Sequence, residues 1–138
     1  MLRRILIVDN EENVALTLQD GLRKLPHCEV VVAVSGQQAL KFFEEQPFDL
    51  LITDYKMPGM DGMTLAARVR RLCPCVPVVV VTAYRDDALR ERATRVPVQQ
   101  ILDKPVGLAM LRRVALEALA GREGGPALRK VTHTTPKV

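Results

Sequence analysis

The 138-residue chain contains no tryptophan, and aromatic residues make up only 4% of it, which leaves aliphatic side chains to build any core. No apolar run approaches the ~18 residues of a membrane span, so no membrane association is expected. Arg3-Arg4 ahead of Ile5 to Val8 resembles the start of a secretory signal, but four apolar residues fall short of the ~7 such a segment needs. The chain therefore reads as cytoplasmic. Cysteine is scarce: Cys28, Cys73 and Cys75 are odd in number and form no disulfide framework. Cys73-Pro74-Cys75 brings two thiols close, yet His27 and Cys28 do not complete a zinc pattern, and reduced structural thiols are expected. Charge of either sign is nearly absent in net terms over residues 1–120, where 16 basic side chains face 15 acidic ones. The excess is confined to residues 121–138, where Arg122, Arg129, Lys130 and Lys137 stand against Glu123. Four scattered cations lack the density of a nucleic-acid patch, so the domain itself is not expected to bind nucleic acid.

What is present is a regular alternation. Arg4 to Asp9 is a short β-branched and aliphatic strand, followed by a helix from about Glu12 to Leu25 with Val14, Leu18, Leu22 and Leu25 on one face. Glu29 to Val34 forms a second strand, and Ser35-Gly36 opens a helix through about Glu45, with Ala39, Leu40 and Phe43 inward. A third strand, Asp49 to Asp54, leads through a loop to a helix over Gly62 to Leu72, with Leu65, Ala66 and Val69 inward. In that loop Pro58-Gly59 suits a type II turn and Asp61 suits an N-cap. Val78 to Val81, ending at Thr82, is the most apolar strand; a short charged helix spans Asp86 to Arg95. Gln100 to Asp103 makes the fifth strand, and Gly107 to Ala120 the last helix, lined by Leu108, Leu111, Ala115 and Leu119. From Gly121 the glycine, proline and threonine content predicts a flexible basic linker or tail over 121–138, after a domain over 1–120.

Five strands alternating with five helices, three of the strands near-continuously hydrophobic, predict an α/β fold with a parallel sheet covered on both faces. The expected strand order is 2-1-3-4-5, a flavodoxin-like doubly wound arrangement with its switch point between the first and third strands. Ligands bind at the carboxyl ends of such strands. There the chain places Asp9-Asn10-Glu11-Glu12, Asp54, Thr82-Ala83 and Lys104-Pro105 on successive strands. Each has a bland explanation alone: Asp9 as a helix cap, Thr82 as a cap of the charged helix, Lys104 as a solvated turn residue. Two acids, a hydroxyl and a lysine gathered at one rim describe a site for phosphoryl chemistry. A carboxylate facing a phosphate needs a cation between them, and phosphoryl transfer demands positioning and charge neutralisation more than covalent help.

The pattern resembles the receiver domain of two-component response regulators, of the chemotaxis-regulator type, over roughly residues 3–120. The resemblance is carried by Val8-Asp9, by Asp54 through Met57-Pro58-Gly59-Met60-Asp61-Gly62, by Val81-Thr82-Ala83 and by Lys104-Pro105. It implies that Asp54 is phosphorylated by a histidine kinase, a phosphotransfer protein or a small phosphodonor. It implies further that Asp9, Asn10, Asp54 and the backbone carbonyl of Lys56 hold Mg²⁺, that Thr82, Ala83 and Lys104 bind the phosphoryl group, and that the Lys104-Pro105 peptide is cis. The activity expected is that of a switch, limited to its own phosphorylation and dephosphorylation, acting on an output domain or effector outside this chain. The last helices are a candidate homodimer surface.

The chain departs from that family in two places. Asn10 stands where a second acid usually touches the metal, removing one formal charge, and Ile101 stands where an aromatic switch residue is common. A pseudo-receiver that docks partners without phosphorylation is the alternative. A metal-dependent phosphohydrolase fits less well, since the place two residues after Asp54 holds Lys56. A flavodoxin-like electron carrier also fits poorly, because acids follow the first strand where a flavin phosphate would need backbone donors.

Overall fold

Residues 2–123 are described by a computed structural model, in which ten elements alternate without exception. They are β1 (Arg3–Val8), α1 (Glu12–Leu22), β2 (Cys28–Ala33), α2 (Gly36–Glu45), β3 (Leu50–Asp54), α3 (Gly62–Leu72), β4 (Val78–Thr82), α4 (Asp87–Arg95), β5 (Gln100–Asp103) and α5 (Leu108–Glu123). The sheet has the order β2-β1-β3-β4-β5 with every pair parallel, as the alternation predicts. Among the described residues no helix is long and apolar enough to cross a membrane.

The continuous apolar runs are explained by a sheet that is buried on both faces. Successive residues of a strand point to opposite sides. Leu6, Val8, Leu51, Val78 and Val80 join the core under α2, α3 and α4 with Ala39, Phe43, Leu65, Ala66, Val69 and Leu89. Ile5, Ile7, Leu50, Ile52, Val79 and Val81 join the opposite core with Leu18, Leu22, Leu111, Ala115 and Leu119 of α1 and α5. All five residues of β3 and all five of β4 are buried, so those two strands form the spine that carries Asp54 and Thr82.

Side-chain caps start three of the helices. Ser35 accepts from the Gln38 N–H, Asp61 from Thr64 and Asp86 from Leu89. Thr82 is therefore not the cap of the charged helix, and Asp9 is not the cap of the first, where Glu11 stands without a side-chain cap bond. Several ends shift by one residue, and two boundaries differ from the periodicity by more than that. The first helix stops at Leu22 rather than Leu25, because Pro26 disfavours helical geometry at the residue before it. Leu25 is still buried, delivered by a turn in which its N–H reaches the Leu22 carbonyl. The last helix continues through Gly121 to Glu123, past the expected start of the tail. The remainder of the expected linker lies outside the described residues.

Candidate functional site

The loop that follows β3 is shaped by two glycines. Gly59 has φ +80°, the value a type II turn needs at its third residue. At Gly62 a Cβ would overlap the backbone carbonyl oxygen of Asp54, and the Gly62 N–H donates to the Tyr55 carbonyl at 2.7 Å. Glycine at 62 thus lets α3 begin directly beneath the acidic strand end.

Parallel register sets the ends of β1 and β3 level, Val8 beside Thr53, so Asp9 and Asp54 emerge together at the switch point. Asp9 is 2% and Asp54 9% exposed. Each carboxylate spends one oxygen on the backbone: Asp9 Oδ1 accepts from the Glu11 N–H at 2.9 Å, and Asp54 Oδ1 from the Tyr55 N–H at 2.9 Å. The other oxygens share one cation. Lys104, just past β5, sends its Nζ across two strands to lie 3.0 Å from Asp9 Oδ2 and 3.3 Å from Asp54 Oδ2. The Lys104–Pro105 peptide bond is cis.

The electrostatics follow from burial and crowding. Burial, then the neighbouring Asp9 charge, raise the Asp54 pKa above its ordinary value of 3.8, and Lys104 only partly offsets them. Burial works against the Lys104 ammonium, but its hydrogen bond to Asp9 and the Asp54 charge prevail and raise its pKa above 10.5. Two acids and one ammonium leave a net negative pocket, a donor set of hard oxygens that fits a divalent cation such as Mg²⁺. Among the described residues no group of three or more His, Cys, Asp or Glu side chains is gathered as for an all-side-chain metal site. A backbone carbonyl or amide oxygen would have to complete the shell, which suits an ion that keeps several waters.

The other expected site residues are placed as follows. Asn10 is exposed beside Asp9, and Lys56 is exposed with its Nζ 3.3 Å from Asp86. Thr82 is buried at the end of β4, but its hydroxyl is turned to its own loop: it donates to the Tyr84 carbonyl at 2.9 Å and accepts the Tyr84 N–H at 3.0 Å. Ala83 is exposed and lines a cleft of about 540 Å³ with Lys104, Pro105, Glu11 and Asn13. Tyr84 is 68% exposed, and Ile101 is half-buried against the α3 and α4 core.

Two arginines around the site had no signal in the sequence. Arg92 of α4 reaches Asp61 at 2.5 Å and the Thr64 hydroxyl at 2.8 Å, tying α4 to the start of α3. Burial disfavours the Asp61 carboxylate, yet Arg92 and the Thr64 N–H outweigh it and hold its pKa below 3.8. Arg85 binds Asp103 and the Ile101 carbonyl of β5. Pairs so far apart in the chain leave no periodic trace.

A five-stranded parallel sheet of this order, with paired acids at its switch point and a lysine closing over them, defines a flavodoxin-like α/β signalling module. The chain belongs to the response regulator receiver domain family, whose sequence model matches residues 5–116. It is 33% identical over 120 residues to a probable chemotaxis protein CheY of Rhizobium etli, covering 86% of this chain and 92% of that one. It is 39% identical over 111 residues to a response regulator receiver protein of an Anaeromyxobacter species, and 34% identical over 116 residues to the transcriptional regulatory protein ZraR of Escherichia coli. It spans only 44% and 26% of those two relatives. Among solved structures, a CheY-like receiver domain from Methanospirillum hungatei superposes with a TM-score of 0.85 at 27% identity, over 90% of this chain and 98% of that one. The receiver domain of an HD domain-containing protein from Pseudomonas fluorescens gives 0.85 at 28% identity, over 91% of this chain and all of its own.

Proposed function

We propose that this receiver domain is phosphorylated on Asp54 in a Mg²⁺-dependent reaction and that the acyl phosphate alters its contacts with partners. The observation that carries the reading is the shared ammonium: Lys104 lies within 3.3 Å of both buried carboxylates, where it would meet phosphoryl oxygens as well. One oxygen of Asp54 attacks the phosphorus of a phosphohistidine or a small acyl phosphate. The new O–P bond replaces the donor's P–N or P–O bond, whose electron pair leaves with the imidazole or the carboxylate. Asp54 Oδ1 is taken by the Tyr55 N–H, so Oδ2, 3.3 Å from the Lys104 ammonium, is the oxygen turned to the pocket. Asp9, Asp54, the Lys56 carbonyl and the Asn10 amide oxygen would hold Mg²⁺, which when bound neutralises charge on the transferred group. Lys104 steadies the phosphoryl oxygens by charge, and the Thr82 hydroxyl, once turned from Tyr84, can donate to one of them. Thr82 and the exposed Ala83 lie at the end of the strand next to Asp54, which supports their role in binding the transferred group. The donors are a histidine kinase or phosphotransfer protein, and the recipient of the signal is an output domain or effector protein.

The test is incubation with acetyl phosphate and Mg²⁺ followed by intact mass. One phosphoryl adduct is expected, absent in Asp54→Asn and abolished by EDTA. No adduct on the parent chain would leave the docking-only reading, which the missing acid at Asn10 favours.

A further inference from the structure

Polar ties hold the loop between β4 and α4, in which Ala83 and Tyr84 are exposed and Arg85 and Asp86 are partly buried. The Thr82 hydroxyl has a single hydrogen, and it is committed to the Tyr84 carbonyl at 2.9 Å while the Tyr84 N–H occupies a lone pair at 3.0 Å. Arg85, the next residue, forks onto the edge strand: Nε lies 2.7 Å from Asp103 Oδ1 and Nη2 lies 2.6 Å from the Ile101 carbonyl. The guanidinium is planar and presents its donors in a fixed fork, so two bonds cost little extra ordering. The third tie, Lys56 to Asp86 at 3.3 Å, joins side chains 60% and 38% exposed and is weakened by solvent. The Arg85–Asp103 pair is solvent-weakened too, its side chains being 29% and 68% exposed, and what sets Arg85 apart is its second, part-buried bond to the Ile101 carbonyl.

We infer that Arg85 latches this loop in an arrangement that competes with phosphorylation of Asp54, making it a positioning residue that sets how readily the domain accepts a phosphoryl group. The inference rests on Asp54 being the acceptor. Thr82 cannot donate to a phosphoryl oxygen and to Tyr84 with the same hydrogen. Turning it toward Asp54 frees the Tyr84 carbonyl, and Arg85, one residue on, resists the loop's departure from β5. Ile101 supplies the latch with a backbone carbonyl and has no ring of its own to swing. A domain that must unlatch first shows an apparent donor requirement raised by the reciprocal of its unlatched fraction. By the same linkage, phosphorylation loosens the latch.

The experiment is a titration with acetyl phosphate in saturating Mg²⁺, read as the phosphorylated fraction by intact mass, on the parent chain and on Arg85→Ala, Arg85→Lys and Arg90→Ala. Arg90 pairs with Asp87 on the outer surface of α4, with side chains 69% and 100% exposed, and serves as the control. Arg85→Ala should lower the half-saturating donor concentration by about 1.5-fold to fivefold, the span of one partly exposed charged tie. Arg85→Lys keeps the charge without the fork and should fall between parent and Ala, and Arg90→Ala should match the parent. Amide hydrogen exchange at Tyr84 and Arg85 should quicken in unphosphorylated Arg85→Ala and in the phosphorylated parent. Mere damage to the fold would raise the donor requirement instead. A requirement unchanged or raised in Arg85→Ala, or lowered equally in Arg90→Ala, overturns the latch and leaves Asp54 as acceptor. No adduct on any variant overturns that role and the latch with it.

Discussion

Replacing Lys104 with methionine keeps most of the stem's volume and removes the charge that two buried carboxylates share. The ammonium lies 3.0 and 3.3 Å from the two Oδ2 atoms, so those oxygens are no more than about 6 Å apart, and at an effective dielectric near 20 two such charges repel by about 3 kcal/mol. The attraction lost with the lysine is largely offset because an ammonium no longer has to be desolvated. The repulsion has a ceiling, since one carboxyl can take a proton instead. Measured from the ordinary value of 3.8, holding that proton costs about 1.4 kcal/mol per pH unit, or about 5 kcal/mol at pH 7.5 and about 1 kcal/mol at pH 4.5. Lys104→Met should therefore be about 3 kcal/mol less stable than the parent at pH 7.5, and no more than about 1 kcal/mol less stable at pH 4.5. The sign follows from linkage. Burial and Asp9 already raise the Asp54 pKa, loss of Lys104 raises it further, and an acid whose folded pKa exceeds its unfolded one withdraws stability as pH climbs above 3.8. Urea denaturation followed by circular dichroism in EDTA at the two pH values measures this. A deficit of equal size at both would refute the reasoning, because the lysine would then act through packing.

Three further outcomes are expected. Asn10→Asp adds one anion beside Asp9 and should tighten Mg²⁺ binding roughly tenfold by calorimetry, the worth of about 1.4 kcal/mol; unchanged affinity would show that residue 10 stays clear of the metal. Asp61→Ala removes the acceptor for Thr64 N–H and the partner of Arg92, and should lose about 1–2 kcal/mol in urea at pH 7. Because the folded Asp61 pKa is depressed, that difference should shrink as pH falls below 3.8 through the folded value; a loss constant down to pH 2 would contradict it. Gly62→Ala places a methyl against the Asp54 carbonyl and should cost about 1–3 kcal/mol and weaken phosphorylation together, whereas a thermal midpoint equal to the parent's would disprove the close approach.

Local chemistry made much of this molecule readable in one dimension. A buried parallel strand needs apolar residues on both faces, so runs such as Val78 to Val81 announce themselves, and helices packed on one side repeat Leu65, Ala66 and Val69 at helical spacing. Pro58-Gly59 and Asp61 are short-range signals of the same kind, confirmed by the positive φ at Gly59 and the bond to Thr64. Strand order then follows from the handedness of crossovers, and with it the gathering of Asp9, Asp54, Thr82 and Lys104 at one rim. The end of α1 misled the periodicity, because Leu25 is apolar and in phase but is carried inward by a turn before Pro26.

The sequence by itself determined the layers, the topology and which side chains meet at the carboxyl rim, because each depends on periodicity, turn chemistry or chirality that acts over a few residues. Only the tertiary structure decided which of those side chains hold one another: Lys104 on both acids, Arg92 on Asp61, Arg85 on β5, and Thr82 turned to its own loop. Those choices depend on distances of a few ångströms between residues up to 95 positions apart, and a charged or hydroxyl side chain carries no mark of its partner until the backbone has brought the two together.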